Sequence, residues 1–356
     1  MDYISAKEAA NLWGISQRRV ATLCSNDRIP GSEMIGNMWL IPKTAEKPDD
    51  GRSFRYENVA KLKPFLKWAG GKGQLLSEIR KKYPENLGNS IKKYAEPFVG
   101  GGAVLFDILS NYEMDEVYIS DSNRELICTY QSIRDNIDEL VEMLKGIEEE
   151  YIPLPENERK NLYYEYRKKF NELKTSNKEN IELAALFIFL NRTCFNGLYR
   201  VNAKGEYNVP MGSYKKPCIC DERNLRNISS AMKNITIVCG DYHNSDKFID
   251  DSTFVYFDPP YRPLSESSSF TAYTENDFND KDQESLAEYI AELSDKGAHV
   301  VASNSDPKNT NPDDNFFDVL YKDFVIERIY ATRMINSKAS ERGKITELLI
   351  YNKAEV

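Results

Sequence analysis

Residues 253–261 read Thr-Phe-Val-Tyr-Phe-Asp-Pro-Pro-Tyr. Thr253 to Phe257 has the pattern of an apolar strand and runs straight into Asp258-Pro259-Pro260-Tyr261. In open α/β sheets the carboxyl ends of strands are where ligands bind. A Pro-Pro pair alone carries no weight, since at about 5% proline usage roughly one is expected by chance in a chain of this length. The strand before it, the aspartate at its end and the tyrosine after it give it meaning. Proline also stiffens the turn and offers no competing backbone donor.

Upstream, a strand-like Lys93-Tyr94-Ala95 leads through Glu96-Pro97-Phe98-Val99-Gly100-Gly101-Gly102 into a helix. Glycines there let the backbone approach a ligand, and the free amides of the helix's first turn face it. Asp121 lies about twenty residues further on, at the end of a second strand over Glu116 to Ser120, where a carboxylate recognises ribose hydroxyls. Together these imply a nucleoside-containing cofactor. A nicotinamide enzyme would show G-x-G-x-x-G, whereas Gly100-Gly101-Gly102 is followed by Ala103-Val104-Leu105. Further strands are expected at Ile235 to Val238, Ala298 to Ala302 and Glu347 to Tyr351, with a long, mostly helical insertion over Leu126 to Asn234. The fold class is therefore α/β.

A carboxylate next to a proline carbonyl at such a strand end suits one kind of chemistry. The exocyclic amine of adenine is conjugated into its ring and is a poor nucleophile until its lone pair is localised. The Asp258 carboxylate and the Pro259 carbonyl can each accept one amine hydrogen, which aims the lone pair at an electrophilic methyl group. As the methyl transfers, positive charge grows on nitrogen, and a preplaced carboxylate stabilises it. A base inside a stacked duplex cannot reach this pocket and must be flipped out, at a cost of a few kcal/mol. Tyr261 offers a stacking face worth about 1–3 kcal/mol against that cost. The alternative reading of the same residues is a rigid turn in which Asp258 caps a neighbour and Tyr261 lies in the core.

The first 45 residues read as a separate unit. Ser5-Ala6-Lys7-Glu8 places Ser and Glu three apart, a capping box before an amphipathic helix that runs to Trp13. Gly14 breaks that helix, Ser16 caps a second carrying Arg18 and Arg19, and Met34 to Ile41 alternates around Gly36-Asn37 as a short hairpin. Residues 3 to 42 thus resemble excisionase or MerR-like winged helix-turn-helix modules, in which the second helix would enter the major groove. The unit is close to charge-neutral, so protein docking or dimerisation stays open as its role. Lys43 to Gly51 reads as linker.

The formal net charge of −9 argues superficially against a nucleic-acid partner. Local counts run the other way. Val59 to Lys82 holds seven Lys or Arg against Glu78 alone, and Arg192 to Arg226 holds seven against three acids, interleaved with Phe195, Tyr199, Tyr207 and Tyr214. Ordinary solvated faces are the competing reading of each run. The six cysteines are scattered and only two histidines are present, so no structural metal is expected. No apolar stretch approaches the roughly twenty residues of a membrane span, and the start lacks a signal-peptide profile, so a cytoplasmic protein is expected.

From about Pro64 to Asn352 the chain resembles the Dam-type DNA adenine-N6 methyltransferases of the α group, especially their DpnM-like members. The strings that carry the resemblance are KPFLKWAGGKGQLL, EPFVGGGAVLF, DSNRELICTY, NGLYRVNAKGEYNVPMGSYKKP, VYFDPPYRPLSESSSFTAYT and SERGKITELLIYN. It implies a Rossmann-like sheet binding S-adenosylmethionine over residues 63–356, with a target-recognition insertion over 126–234, joined by a linker over 46–62 to the module at 1–45. Catalysis would rest on Asp258, Pro259 and Tyr261. Cofactor contacts would fall on Trp68, Ala69, Lys72, Glu96, Phe98, Gly100, Asp121 and Asp258. Double-stranded DNA, in the family usually the adenine of GATC, would be read by Lys67, Asn196, Leu198, Arg200, Pro210 and Tyr214. A cognate restriction endonuclease is a partner the family admits. Two segments depart from the common pattern, the amino-terminal module and a polar stretch at Asp306 to Asn315. Competing functions are a methyltransferase acting on another amine (cytosine in DNA, adenine in RNA or a protein amide) and a transcription regulator that uses the fold as a cofactor sensor. The DNA-reading segment argues against the first, and the intact Asp258, Tyr261 and Asp121 against the second.

Overall fold

The computed structural model describes residues 3–353 apart from 14–16, 18–19, 22–23, 25–28, 30, 37, 46–60, 69, 177–179, 263–277 and 333–343. The chain divides into two compact units, Met1–Val59 and Ala60–Val356.

In the first unit, β1 (Tyr3–Ser5) runs into α1 (Ala6–Trp13), and β2 (Glu33–Ile35) and β3 (Met38–Pro42) form a hairpin. The capping box is present, since the Glu8 carboxylate accepts the Ser5 amide at 2.8 Å and Glu8 N donates to Ser5 Oγ at 3.3 Å. The three strands are antiparallel in the order β1-β3-β2, with Ile35 opposite Met38 across the turn. Ala6, Ala9, Ala10, Val20, Cys24, Ile29 and Ile41 form its core. Gln17, Val20, Ala21 and Cys24 are helical, whereas Gly14, Ser16, Arg18, Arg19 and Asn37 lie outside the described residues, as does most of the expected linker. β1 was not anticipated.

The second unit is built on a seven-stranded sheet. Its strands are β4 (Lys93–Glu96), β5 (Glu116–Asp121), β6 (Ile235–Cys239), β7 (Thr253–Phe257), β8 (His299–Ser305), β9 (Val325–Thr332) and β10 (Lys344–Tyr351). The order is β6-β5-β4-β7-β8-β10-β9, parallel from β6 to β8, with β10 antiparallel to both neighbours. From β4 the chain steps outward to β6, then starts again on the other side of β4 with β7. The order therefore reverses between β4 and β7, and such a switch point opens a crevice at the strands' carboxyl ends. The edge strand β9 was not expected. Its sequence, Val-Ile-Glu-Arg-Ile-Tyr-Ala-Thr, breaks the apolar run with a charged pair.

α2 (Leu76–Ile79) is a single turn, and α3 (Ala103–Asn111) starts directly after Gly102. Between β5 and β6 lie α4 (Arg124–Asp135), α5 (Ile137–Tyr151), α6 (Glu156–Thr175), α7 (Ile181–Thr193) and α8 (Glu222–Ala231). α7 is apolar on every side and buried from Leu183 to Asn191, as befits a helix enclosed by its neighbours α4, α5 and α6. Asn123, Asn180 and Asp221 cap α4, α7 and α8 through side-chain oxygens. α9 (Asp280–Asp295) and α10 (Phe316–Leu320) complete the unit. Among the described residues no helix is long and apolar enough to cross a membrane, and no cluster of three or more His, Cys, Asp or Glu is arranged to hold a metal ion.

Candidate active site

β7 is buried along its whole length and delivers Asp258 to the switch point. Lys72 Nζ lies 2.7 Å from Asp258 Oδ1, and Ser303 Oγ donates to the same oxygen at 2.9 Å. Lys72, itself buried, also donates to the Gly70 carbonyl at 2.7 Å and sits 4.6 Å above the Tyr261 ring. The Tyr261 hydroxyl donates to Glu347 on β10 at 2.7 Å. Tyr261 is therefore tied by hydroxyl and by one face, and only half-buried. The Pro260 carbonyl accepts from Gln283 Nε2 at 3.0 Å, and Gln283 Oε1 accepts from Asn304 Nδ2 at 3.0 Å. Gln283 and Asn304 are buried and Pro259 is enclosed, so the turn is gripped from both sides.

At the end of β4 the Glu96 carboxyl is 2% exposed and accepts the Tyr94 hydroxyl at 2.7 Å. Burial pushes it up to about 8, the charge of Asp258 adding to the rise and Tyr94 and Lys72 opposing it. The glycine run packs beneath Trp68. A Cβ on Gly100 would come within 2.9 Å of the indole nitrogen, and one on Gly101 within 2.8 Å of Trp68 Cβ. Gly100 and Gly102 are left-handed, at φ +46° and +69°, which suits glycine. Gly100 N donates to Asp121 Oδ2 at 3.0 Å and Asn123 N to Oδ1 at 2.9 Å. Burial raises Asp121 to about 6, against the pull of these amides and that of Ser122. Phe98 stands nearby among Tyr242, Phe257 and Phe278, ring centroids 5.4, 6.4 and 6.0 Å away.

The segment after α7 turns back on itself. Cys194 pairs with Met211 and Val201 with Tyr207 in antiparallel bridges, and Gly205 N donates to the Asn202 carbonyl at 2.8 Å. Asn191 anchors it, accepting from Lys67 N at 2.8 Å and donating to the carbonyls of Lys67 and Gly197 at 2.8 and 3.0 Å. Lys67 Nζ rests 3.7 Å above the Tyr214 ring. Asn196 is left-handed at φ +55°. Arg200 and Pro210 are exposed, and Arg200 Nε donates to Asn208 at 2.7 Å.

The structure gathers Trp68, Lys72, Glu96, Phe98, Gly100, Asp121, Asp258, Pro259 and Tyr261 around the switch point, and Lys67, Asn196 and Tyr214 around the turn anchored by Asn191. Leu198 packs partly into the core, and Ala69 lies outside the described residues.

Two expectations of the charge reading need correction. In the run ending at Lys82, Lys72, Arg80, Lys81 and Lys82 pair with Asp258, Asp107, Glu78 and Glu327, so most of that charge is balanced within the fold. Tyr199 and Tyr207 are core residues, 5% and 3% exposed, and of the four aromatics only Phe195 and Tyr214 reach the surface. The polar stretch from Asp306 is tied into the fold. Buried Asp306 accepts from Arg328 and Thr346, and Asp314 accepts from Arg262 at 2.8 Å.

Sequence reasoning missed Tyr94, Ser303, Gln283, Asn304 and Glu347. The one signal available was polar residues at positions where the strand period calls for apolar ones, as in Ser303-Asn304-Ser305 at the end of β8.

Residues 68–335 match the family described as D12 class N6 adenine-specific DNA methyltransferase. The chain is 51% identical over 294 residues to the type II methyltransferase M.MjaIII of Methanocaldococcus jannaschii, covering 82% of this chain and 99% of that protein. It is 40% identical to the type II methyltransferase M1.LlaDCHI of Lactococcus lactis subsp. cremoris, over 83% of this chain and 97% of that one. To the DNA adenine methylase of Escherichia coli K12 it is 34% identical, over 84% of this chain and 98% of that one.

Proposed function

The chain belongs to the D12 class of N6 adenine-specific DNA methyltransferases, and from that membership we propose which residues do the work, with which cofactor and at which sequence. S-adenosylmethionine, when bound, supplies a methyl group activated by a positively charged sulfur. The donor set suits a cationic nucleoside. Asp121 presents carboxylate oxygens to ribose hydroxyls at the end of β5, Glu96 and Asp258 bring acidic groups to the switch point, and Phe98 stands among aromatic rings. Trp68, Ala69, Lys72 and Gly100 complete the contacts in this reading.

Asp258 and the Pro259 carbonyl accept the two hydrogens of the adenine amine and localise its lone pair, and the Asp258 charge stabilises the positive charge that develops on nitrogen. Tyr261 stacks against a base flipped from the duplex, on the ring face opposite Lys72. The observation that carries this reading is that the end of β7 and the glycine turn after β4 follow adjacent parallel strands at one switch point, where Lys72 pairs with Asp258 at 2.7 Å.

The helical insertion provides target recognition. Lys67, Asn196, Leu198, Arg200, Pro210 and Tyr214 read or grip double-stranded DNA, with GATC as the target. Within the class we read the chain as similar to the DpnM-like members, on the strings that carry that resemblance. The amino-terminal unit is read as a winged helix-turn-helix accessory, the protein as cytoplasmic, and a cognate endonuclease as its partner if it serves restriction. Purified protein with labelled S-adenosylmethionine and unmethylated plasmid tests the target. Labelling together with resistance to an endonuclease blocked by GATC methylation supports it, and labelling without that resistance overturns GATC as the target.

A further inference from the structure

Asp258 has two carboxylate oxygens, and the reaction needs one of them for an amine hydrogen. Among the described residues the Lys72 Nζ ion pair at 2.7 Å and the Ser303 Oγ hydrogen bond at 2.9 Å both fall on Oδ1. With both partners on one oxygen, the lone pairs of Oδ2 are left for the amine. The two partners differ in how they are shared. Lys72 is a long side chain whose hydrogen bond goes to the Gly70 carbonyl, whereas Ser303 is a short side chain on a strand paired with both β7 and β10, and is 1% exposed.

The Ser303 hydroxyl is itself directed. It has one proton to give, and its neighbours are Asp258 Oδ1 at 2.9 Å, the Tyr256 hydroxyl at 3.0 Å and the Phe257 carbonyl at 3.4 Å. The charged, nearer acceptor takes that proton. The fully buried Tyr256 hydroxyl then donates to Ser303 Oγ, so the chain runs Tyr256 to Ser303 to Asp258.

We propose that Ser303 is a positioning residue for methyl transfer, fixing Oδ1 of Asp258 so that Oδ2 faces the amine of the target base. Resting on the role given to Asp258 above, this adds a residue that never touches substrate. Terminal carboxylate torsions are broad, so without the Ser303 hydroxyl the carboxylate turns on the Lys72 contact alone and the acceptor geometry loosens.

The test is single-turnover transfer from labelled S-adenosylmethionine to a short duplex, with cofactor affinity and the fluorescence of 2-aminopurine at the target position measured on the same proteins. Ser303→Ala should lose roughly 10- to 100-fold in transfer rate, the range expected for one hydrogen bond to a charged group. Its cofactor affinity and 2-aminopurine signal should stay at wild-type values. A wild-type rate, or a loss matched by lost cofactor binding or lost flipping, overturns the proposal. Should Ser303→Ala fail to fold, Tyr256→Phe carries the test, since it removes only the donor behind Ser303. A several-fold fall in rate with unchanged cofactor affinity supports the chain, and no change overturns it. Asp258→Ala in the same assay separates the two ideas. If it keeps turnover, the role of Asp258 is wrong, and if it loses turnover while Ser303→Ala does not, only the positioning role is wrong.

Discussion

Two carboxyls at this switch point stand above their ordinary range because burial penalises their charged forms, Glu96 at about 8 and Asp121 at about 6. A raised carboxyl pKa contributes stability that is present below the unfolded-state value and lost as pH rises through the folded one. For Glu96 the protein should therefore lose stability as pH climbs from the ordinary carboxylate range through about 8, and Glu96→Gln should remove that part of the slope. Denaturant midpoints of both proteins across this range decide it, and a difference that does not vary with pH contradicts the assignment. For Asp121, proposed above as the acceptor of the ribose hydroxyls, the effect should fall on binding instead. Protonation as pH falls through about 6 removes acceptor capacity needed by ribose hydroxyls, so S-adenosylmethionine affinity should drop below that pH. Asp121→Asn should bind weakly at every pH, with a flat titration profile. Arg200 separates two kinds of DNA contact. Exposed on the recognition turn and braced by Asn208, it should read a base, so Arg200→Ala should cost roughly 1–3 kcal/mol on the best site and narrow discrimination against singly altered sites. Equal losses in kcat/KM across a set of duplexes singly substituted in GATC would make it a phosphate contact.

Among the elements, those with a simple period were legible. β7 is a pure apolar run, the first helix declared itself through Ser5 and Glu8, and the glycine turn announced its own strand and helix. β1 and β9 were not legible, because three residues carry no period and because Glu327 and Arg328 interrupt β9, where their side chains bond to Lys82, Asp306 and Asp318. The support behind the turn was hidden for another reason. Ser303 and Asn304 are adjacent in a strand and so point to opposite faces, one reaching Asp258 and the other Gln283. Only the folded sheet shows that both grip the same turn. The recognition turn has a comparable dependence on Gly197, which is left-handed at φ +65° and lies so close to Lys67 that an added Cβ would fall within that side chain. Gly197→Ala should cost about 1–3 kcal/mol by thermal unfolding and weaken DNA binding more than cofactor binding. Wild-type stability together with wild-type DNA affinity would show that the turn tolerates a side chain there.

At the scale of the whole molecule, a net charge of −9 coexists with action on DNA because the charge that matters is local. Several cations of the run before Lys82 are paired inside the fold, and we propose that the reading role falls to the exposed turn around Arg200. The family match begins at residue 68, outside the Met1–Val59 unit, so chemistry and target choice should reside in the larger unit. Deleting residues 1 to 48 should accordingly leave the methylated sequence unchanged, and sequencing of modified sites after treatment with a folded truncation would expose any shift. The central claim is that Asp258 localises the lone pair of the adenine amine and stabilises the charge that forms there. It is tested most directly by transfer of labelled methyl from S-adenosylmethionine to DNA by Asp258→Ala, with folding checked by circular dichroism. The account predicts a folded protein with transfer abolished while the wild type labels adenine, and near-normal turnover by the folded variant would contradict it.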